Sequence, residues 1–255
     1  MHSLFNLKAK LALITGSGRG IGKSLSLALA KAGCDIILTS RSKKELERVK
    51  SEILFLDSEC HSFILDIQNV EEIKNFFSKL QKLNLYPDIL VNNAGTEEVR
   101  SSVDVDEELW NKILDTNLKG AFFISQCFAK QLKDKRKHGS IINLGSLSSS
   151  IGIPTAVAYT SSKAGILGMT KALSAEWASL NIRVNAIAPG YFRTDLTEIF
   201  YKDPNWQKSM LNKIPMKRFG NMEDLDGVII FLASNASSYI TGQIFYVDGG
   251  FISSI

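Results

Sequence analysis

Leu11-Ala12-Leu13-Ile14-Thr15-Gly16-Ser17-Gly18-Arg19-Gly20-Ile21-Gly22 joins a short apolar run to a turn with a glycine at every second position. Leu11 to Thr15 is apolar almost throughout, as a strand buried on both faces should be. Glycines at 16, 18, 20 and 22 follow, and an amphipathic helical run from Lys23 to Ala32 comes next. Strand, glycine-rich turn and helix in that order form the setting that a dinucleotide-binding loop requires. Gly16 permits the tight turn, Gly20 lets backbone approach a pyrophosphate, and Gly22 lets the helix pack on the strand. Free N–H groups at the helix start suit anionic oxygens. Gly16, Ser17, Arg19, Gly20, Ile21 and Gly22 are therefore the candidate phosphate cradle.

Outward from this unit, the same alternation continues. Ile36 to Thr39, Phe63 to Leu65, Ile89 to Val91, Ile141 to Leu144, Val184 to Ala188 and Gln243 to Val247 read as strands. Lys43 to Leu54, Val70 to Leu83, Glu107 to Gln131, Lys163 to Ser179 and Asp224 to Leu232 carry helical apolar spacing. Apolar strands separated by helices imply a parallel sheet covered on both faces, an α/β doubly wound Rossmann fold. No linker or repeat interrupts residues 1–255, so one domain is expected. Residues 191–215, with Pro204 and Pro215, break the alternation and read as a substrate lid.

The second strand sets the cofactor. Dinucleotide sites that bind NAD place an acid near the end of this strand, whereas a 2′-phosphate calls for arginine. No acid lies between Ile36 and Lys44; the chain reads Thr39-Ser40-Arg41-Ser42 there. Ser40, Arg41 and Arg19 thus favour NADP(H), with NAD(H) as the weaker alternative.

Tyr159 and Lys163 stand four residues apart at the start of a helix, so both side chains leave one face. An ammonium about 5 Å from the phenol, at an effective dielectric of about 20, favours phenolate by roughly 3 kcal/mol. The strand Ile141 to Leu144 opens into Gly145-Ser146-Leu147-Ser148, at the carboxyl edge where ligands sit in such sheets. Ser146 is placed there to hydrogen-bond a substrate oxygen.

Hydrophobic residues make up 45% and charged residues 22% of the chain, which excludes a disordered or fibrous protein. A net charge of +4 without a matching motif gives no nucleic-acid signature. Cys34, Cys60 and Cys127 imply neither a disulfide framework nor zinc, and His2, His61 and His138 are scattered, so no metal is expected. The absence of an apolar span or signal core predicts a cytoplasmic protein with no membrane association.

Together these residues resemble the short-chain dehydrogenase/reductase family over essentially the whole chain. Thr15 to Gly22 is similar to its glycine loop, Asp66 with Ile67 to its adenine-contacting pair, and Asn92-Asn93-Ala94-Gly95 to the motif after its fourth strand. Pro189, Gly190 and Thr194 match its nicotinamide-side turn. Asn117, Ser146, Tyr159 and Lys163 match its catalytic tetrad. The resemblance implies that Tyr159 moves the proton, Lys163 lowers its pKa and holds the nicotinamide ribose, Ser146 orients the carbonyl and Asn117 supports a water relay. Tyr159, Lys163, Asn93, Ala94 and Gly95 are also expected at the cofactor.

A ketone and a secondary alcohol are the expected reactants, and a homo-oligomer, a tetramer, the expected assembly. Within the family, Ala188-Pro189-Gly190-Tyr191-Phe192-Arg193-Thr194 and the ending Tyr246-Val247-Asp248-Gly249-Gly250 are similar to gluconate 5-dehydrogenase-like members. Those often carry paired arginines after Asn-Asn-Ala-Gly, where this chain has Thr96-Glu97-Glu98-Val99-Arg100. Carboxylates facing the pocket would repel a substrate carboxylate. A 3-oxoacyl-(acyl-carrier-protein) reductase is the alternative; basic residues such as Arg193, Lys202, Lys213, Lys217 and Arg218 suit a carrier protein or a sugar acid alike, or simply solvate the lid. A nucleotide-sensing protein without chemistry is the reading from another class, opposed by the intact Tyr159 and Lys163.

Overall fold

The computed structural model describes residues 3–194 and 197–254. Strand and helix alternate along it as β1 (Leu11–Thr15), α1 (Gly20–Lys31), β2 (Asp35–Ser40), α2 (Lys43–Leu54), β3 (Cys60–Ile64), α3 (Val70–Lys82) and β4 (Ile89–Asn92). Then come α4 (Glu107–Leu114), α5 (Ala121–Lys135), β5 (Gly139–Leu144), α6 (Val157–Trp177) and β6 (Ile182–Pro189). Short α7 (Glu198–Tyr201), α8 (Pro204–Lys213), α9 (Asp226–Ala233) and β7 (Ile244–Val247) complete the described chain.

The described strands form one seven-stranded sheet, all parallel, in the order β3-β2-β1-β4-β5-β6-β7. Alternate residues feed two cores. Ala12 and Ile14 of β1 join Leu25 and Leu29 of α1, Leu46 of α2 and Ile229 of α9 on one face. Leu13, from the same strand, joins Phe76 of α3, Phe128 of α5 and Trp177 of α6 on the other. With period two in the strand and apolar residues on both sides, only a sheet with helices on both faces buries them all.

Chain direction across the sheet reverses on either side of β1, since β2 lies to one side and β4 to the other. Carboxyl ends diverge at such a point and leave a crevice.

Several element boundaries depart from the sequence reading, most of them by one to three residues. The run Glu107 to Gln131 is not one helix: a π-helical segment, Asp115–Gly120, lies between α4 and α5. A β carbon on Gly120 would stand 2.6 Å from the Ile67 carbonyl oxygen, so the backbone passes unusually close to the segment after β3. Helix α6 begins at Val157, ahead of the expected Lys163, which places Tyr159 in its first turn. Strand β3 starts at Cys60 and ends at Ile64, one residue before the expected Leu65.

The expected lid, residues 191–215, contains α7 and α8; Asp195 and Leu196 lie outside the described residues. Its rings interlock rather than splay. Trp206 stacks on Phe219 at 6.0 Å, Tyr201 meets Phe219 at 4.8 Å, and Tyr191 packs edge-on against both Trp206 and Phe251. Offset and edge-to-face pairs of this kind hold a short helix onto the domain without a large core.

Candidate active site

At the carboxyl end of β1 the chain turns through Gly16, whose φ of +63° favours glycine. A β carbon there would lie 2.7 Å from Ala94 Cα. The loop after β4 is thereby pressed against the glycine loop, and hydrogen bonds fix the contact. The Thr15 hydroxyl oxygen accepts from the Asn93 and Ala94 backbone N–H groups at 3.1 and 3.0 Å. Asn93 Nδ2 donates to the Thr15 and Gly16 carbonyls at 3.0 and 2.9 Å. Gly22 completes the seal: a β carbon on it would come within 2.3 Å of both Asn93 Nδ2 and the Gly16 carbonyl oxygen. Its role is close packing against these loops, where the sequence reading had it packing on the strand.

Beside this cradle lies a cavity of about 510 Å³. Its wall carries Gly16, Arg19, Gly20, Ile21 and Gly22 in the middle and Ser40, Arg41, Asp66 and Ile67 toward β2 and β3. Asn93, Ala94, Gly95, Tyr159, Lys163, Pro189 and Thr194 lie toward β4, α6 and β6. A long groove passing a helix N-terminus, with backbone unshielded by side chains, suits an extended anionic dinucleotide. Two expected residues stand behind the wall. Ser17 is buried, its N–H and hydroxyl both donating to the Thr39 carbonyl, and Gly190 is packed where a β carbon would lie 2.7 Å from Asp248 Cα.

The end of the groove near β2 also contains a residue that the sequence reading passed over. Glu45 lines the cavity, and its carboxylate would lie 2.8 Å from a β carbon on Gly18. It sits in the first turn of α2, whose N-cap Ser42 accepts from the Glu45 N–H at 3.3 Å. The signal was in the sequence: an acid three residues after a serine before an amphipathic run marks a helix start. Its approach to the glycine loop is a tertiary contact that spacing does not reveal.

At the opposite end, Tyr159 and Lys163 stand one helical turn apart, with the Lys163 ammonium 5.6 Å from the centre of the phenol ring. Lys163 is buried and donates to the Leu144 carbonyl at 2.7 Å. Burial lowers it from 10.5 to about 8, against the pull of the Glu97 carboxylate. Burial likewise pushes the Tyr159 phenol above its ordinary value; Glu97 adds to that rise, and a hydrogen bond with Ser146 opposes it. Desolvation therefore outweighs the Coulombic benefit expected from the lysine alone.

Asn117 does not line the cavity; it is buried in the π segment and clamps the loop that does. Its Oδ1 accepts from the Thr96 N–H at 2.8 Å, while Nδ2 donates to the Thr96 carbonyl at 2.9 Å and to the Ser162 hydroxyl at 3.0 Å. π-helical turns recur at functional sites because the extra residue re-aims a side chain. Here it turns Asn117 toward both the loop and α6.

The two glutamates after Gly95 have different fates. Glu98 is tied outward by Arg100 at 2.6 Å and Lys112 at 3.2 Å. Glu97 is half-buried, and its charge acts on both Lys163 and Tyr159; it is not among the residues that line the cavity. The basic rim is also partly neutralised. Arg193 binds Glu198 through two hydrogen bonds, Arg218 binds Asp224 likewise, and Lys217 donates to the Asn212 carbonyl.

Residues 16–252 match the family described as enoyl-(acyl carrier protein) reductase. The chain belongs to the short-chain dehydrogenase/reductase family. Membership makes it an oxidoreductase, and the reading without chemistry is set aside. A 2-dehydro-3-deoxy-D-gluconate 5-dehydrogenase of Bacillus subtilis (strain 168) is 42% identical over 253 residues, covering 99% of this chain and 98% of that protein. A 3-oxoacyl-(acyl-carrier-protein) reductase of Thermotoga maritima is 38% identical, covering 96% of this chain and 99% of its own. The structure of a gluconate 5-dehydrogenase from Burkholderia cenocepacia J2315, in complex with NADP and tartrate, superposes with a TM-score of 0.95 at 32% identity. That superposition covers 99% of this chain and 98% of the other. Among the described residues no helix is long and apolar enough to cross a membrane.

Proposed function

We propose that this short-chain dehydrogenase/reductase is NADP(H)-dependent and interconverts a ketone and a secondary alcohol on a sugar acid of the gluconate type. The observation that carries the reading is the single groove that joins the glycine cradle to Tyr159 and Lys163. Relatives that act on gluconate derivatives support the substrate class. Ser40, Arg41 and Arg19 would hold the 2′-phosphate, the glycine loop the pyrophosphate, and Asp66 with Ile67 the adenine. When bound, the nicotinamide supplies or accepts the hydride.

The chain's own residues handle the proton. Tyr159 holds its hydroxyl proton at neutral pH, as any phenol does and more firmly with burial, which suits it to donate to a carbonyl oxygen as the hydride arrives. Ser146 holds that oxygen, and Lys163, when charged, stabilises the phenolate left behind. Asn117 positions the Thr96 loop and, through Ser162, the helix that bears both residues.

Steady-state NADPH oxidation with 5-ketogluconate, acetoacetyl thioesters and simple ketones, with NADH in parallel, tests the reading. A strong rate on 5-ketogluconate is expected. Thioester preference would select the fatty-acyl reductase, which the Thermotoga maritima relative supports; no turnover on any carbonyl would sink both.

We also propose a single domain with residues 191–215 as lid, a cytoplasmic location and a homotetramer. The last draws on β7, which ends the sheet with one edge unpaired and is only half-buried, and on α9, whose Val228, Ile230 and Phe231 are not fully covered.

A further inference from the structure

Glu97 has a setting that neither the glycine cradle nor the proton transfer explains. The segment from Asn93 to Ser101 has no helix or strand of its own, yet it is held at both ends. Asn117 binds the N–H and carbonyl of Thr96. Farther along, Arg100 donates from its backbone to the Thr155 carbonyl at 2.8 Å, and its guanidinium binds Glu98 and Asp106. Between these anchors the loop runs past the lysine, where a β carbon on Gly95 would lie 3.8 Å from Lys163 Nζ, and the half-buried Glu97 two residues on acts electrostatically on Lys163 and Tyr159, while its neighbour Glu98 is bound by Arg100 and Lys112.

The Glu97 carboxylate has no hydrogen-bond or ion-pair partner among the described residues, and its oxygens are not sealed from solvent. A half-buried carboxylate that the fold leaves unpaired, in a segment fixed on both sides, is a pre-positioned acceptor. Hydroxyl groups are the donors that fit it. A carboxylate placed there would meet a like charge.

Resting on the proposed carbonyl reduction, we infer that Glu97 is a specificity residue that accepts a hydrogen bond from a hydroxyl on the carbon next to the reacting carbonyl. The site then prefers α-hydroxy ketones over plain ketones. A sugar acid enters with its hydroxylated end at Glu97 and its carboxylate directed away.

The test compares acetoin with butanone, which differ by that one hydroxyl, as substrates for NADPH oxidation. A hydrogen bond to a charged group predicts that wild type favours acetoin by about 10- to 100-fold in kcat/KM. Glu97→Gln should keep part of the preference, because its amide oxygen still accepts, and Glu97→Leu should bring the ratio toward parity. Cofactor binding and circular dichroism verify that each variant folds, and the near-isosteric Glu97→Gln serves if Glu97→Leu does not. A wild-type enzyme that reduces both ketones equally, or a Glu97→Leu variant that keeps the acetoin preference, overturns the inference and leaves carbonyl reduction intact. A wild-type enzyme that reduces neither of these ketones nor 5-ketogluconate overturns the underlying reading, and the inference with it; one that reduces 5-ketogluconate but not acetoin overturns the inference alone.

Discussion

Two neighbouring groups at the reacting end shift in opposite directions for one reason: burial disfavours the charged form of each. Lys163 falls from 10.5 to about 8 and Tyr159 rises above 10.0, each chiefly by burial. Between about pH 8 and 10.5 the unfolded chain holds a lysine proton that the folded chain has released, so stability rises with pH across that window. Above 10.0 the folded chain retains the tyrosine proton, and the slope is opposed. We expect the melting temperature of cofactor-free wild type to climb between pH 8 and 10 relative to Lys163→Met; parallel curves would contradict the assigned shift. Tyr159→Phe should keep NADPH affinity in a fluorescence titration and lose at least about a hundredfold in kcat. Near-normal turnover would remove the phenol from the reaction. At the far end of the groove, Arg41→Ala should cut the NADPH-over-NADH ratio by about tenfold or more, the worth of a charge-assisted hydrogen bond. An unchanged ratio would shift the 2′-phosphate role to Arg19 and Ser40.

Among the elements, the π segment is the part most consequential to the site and least legible beforehand. Glu107 to Gln131 carries continuous helical spacing, and one extra residue in the turn leaves that period nearly intact, so pattern alone gives no warning. The contacts of Asn117 with Thr96 and of Gly120 with Ile67 are what make the bulge necessary. Strands, by contrast, were readable because a strand covered on both faces leaves an apolar run that little else explains. The glycine loop was readable because its turn and helix follow directly in sequence. Glu45 and Glu97 were not, since each depends on where a loop or helix is packed rather than on its own spacing. Asn117→Ala removes the partners of both Thr96 backbone groups, and a cost of about 1–3 kcal/mol for each buried group left unpaired follows. Faster amide exchange confined to residues around Thr96 should report it; global acceleration would mean the whole fold had loosened instead. Gly22→Ala should lower both the melting temperature and NADPH affinity, because its new methyl would stand 2.3 Å from the Gly16 backbone carbonyl oxygen as well as from the Asn93 side chain; an unchanged melting temperature would contradict the close packing.

For the molecule as a whole, the ends of the sheet are where the fold is unfinished. Strands β3 and β7 each have one edge unpaired among the described residues, and β7 also lies beside the incompletely covered α9, Phe245 against Phe231; an uncovered edge invites pairing or covering. The proposed tetramer predicts light scattering at four times the chain mass. A monomer at micromolar concentration would leave that edge bare and refute the tetramer.

The stitching of Thr15 and Gly16 to Asn93 and Ala94 bears on how fast a ligand is captured. Four hydrogen bonds join the two loops within the chain itself, so little backbone ordering remains to be completed when the dinucleotide lands. Its capture should proceed in one kinetic phase whose rate grows linearly with concentration, without the plateau that a slow rearrangement of the floor would impose.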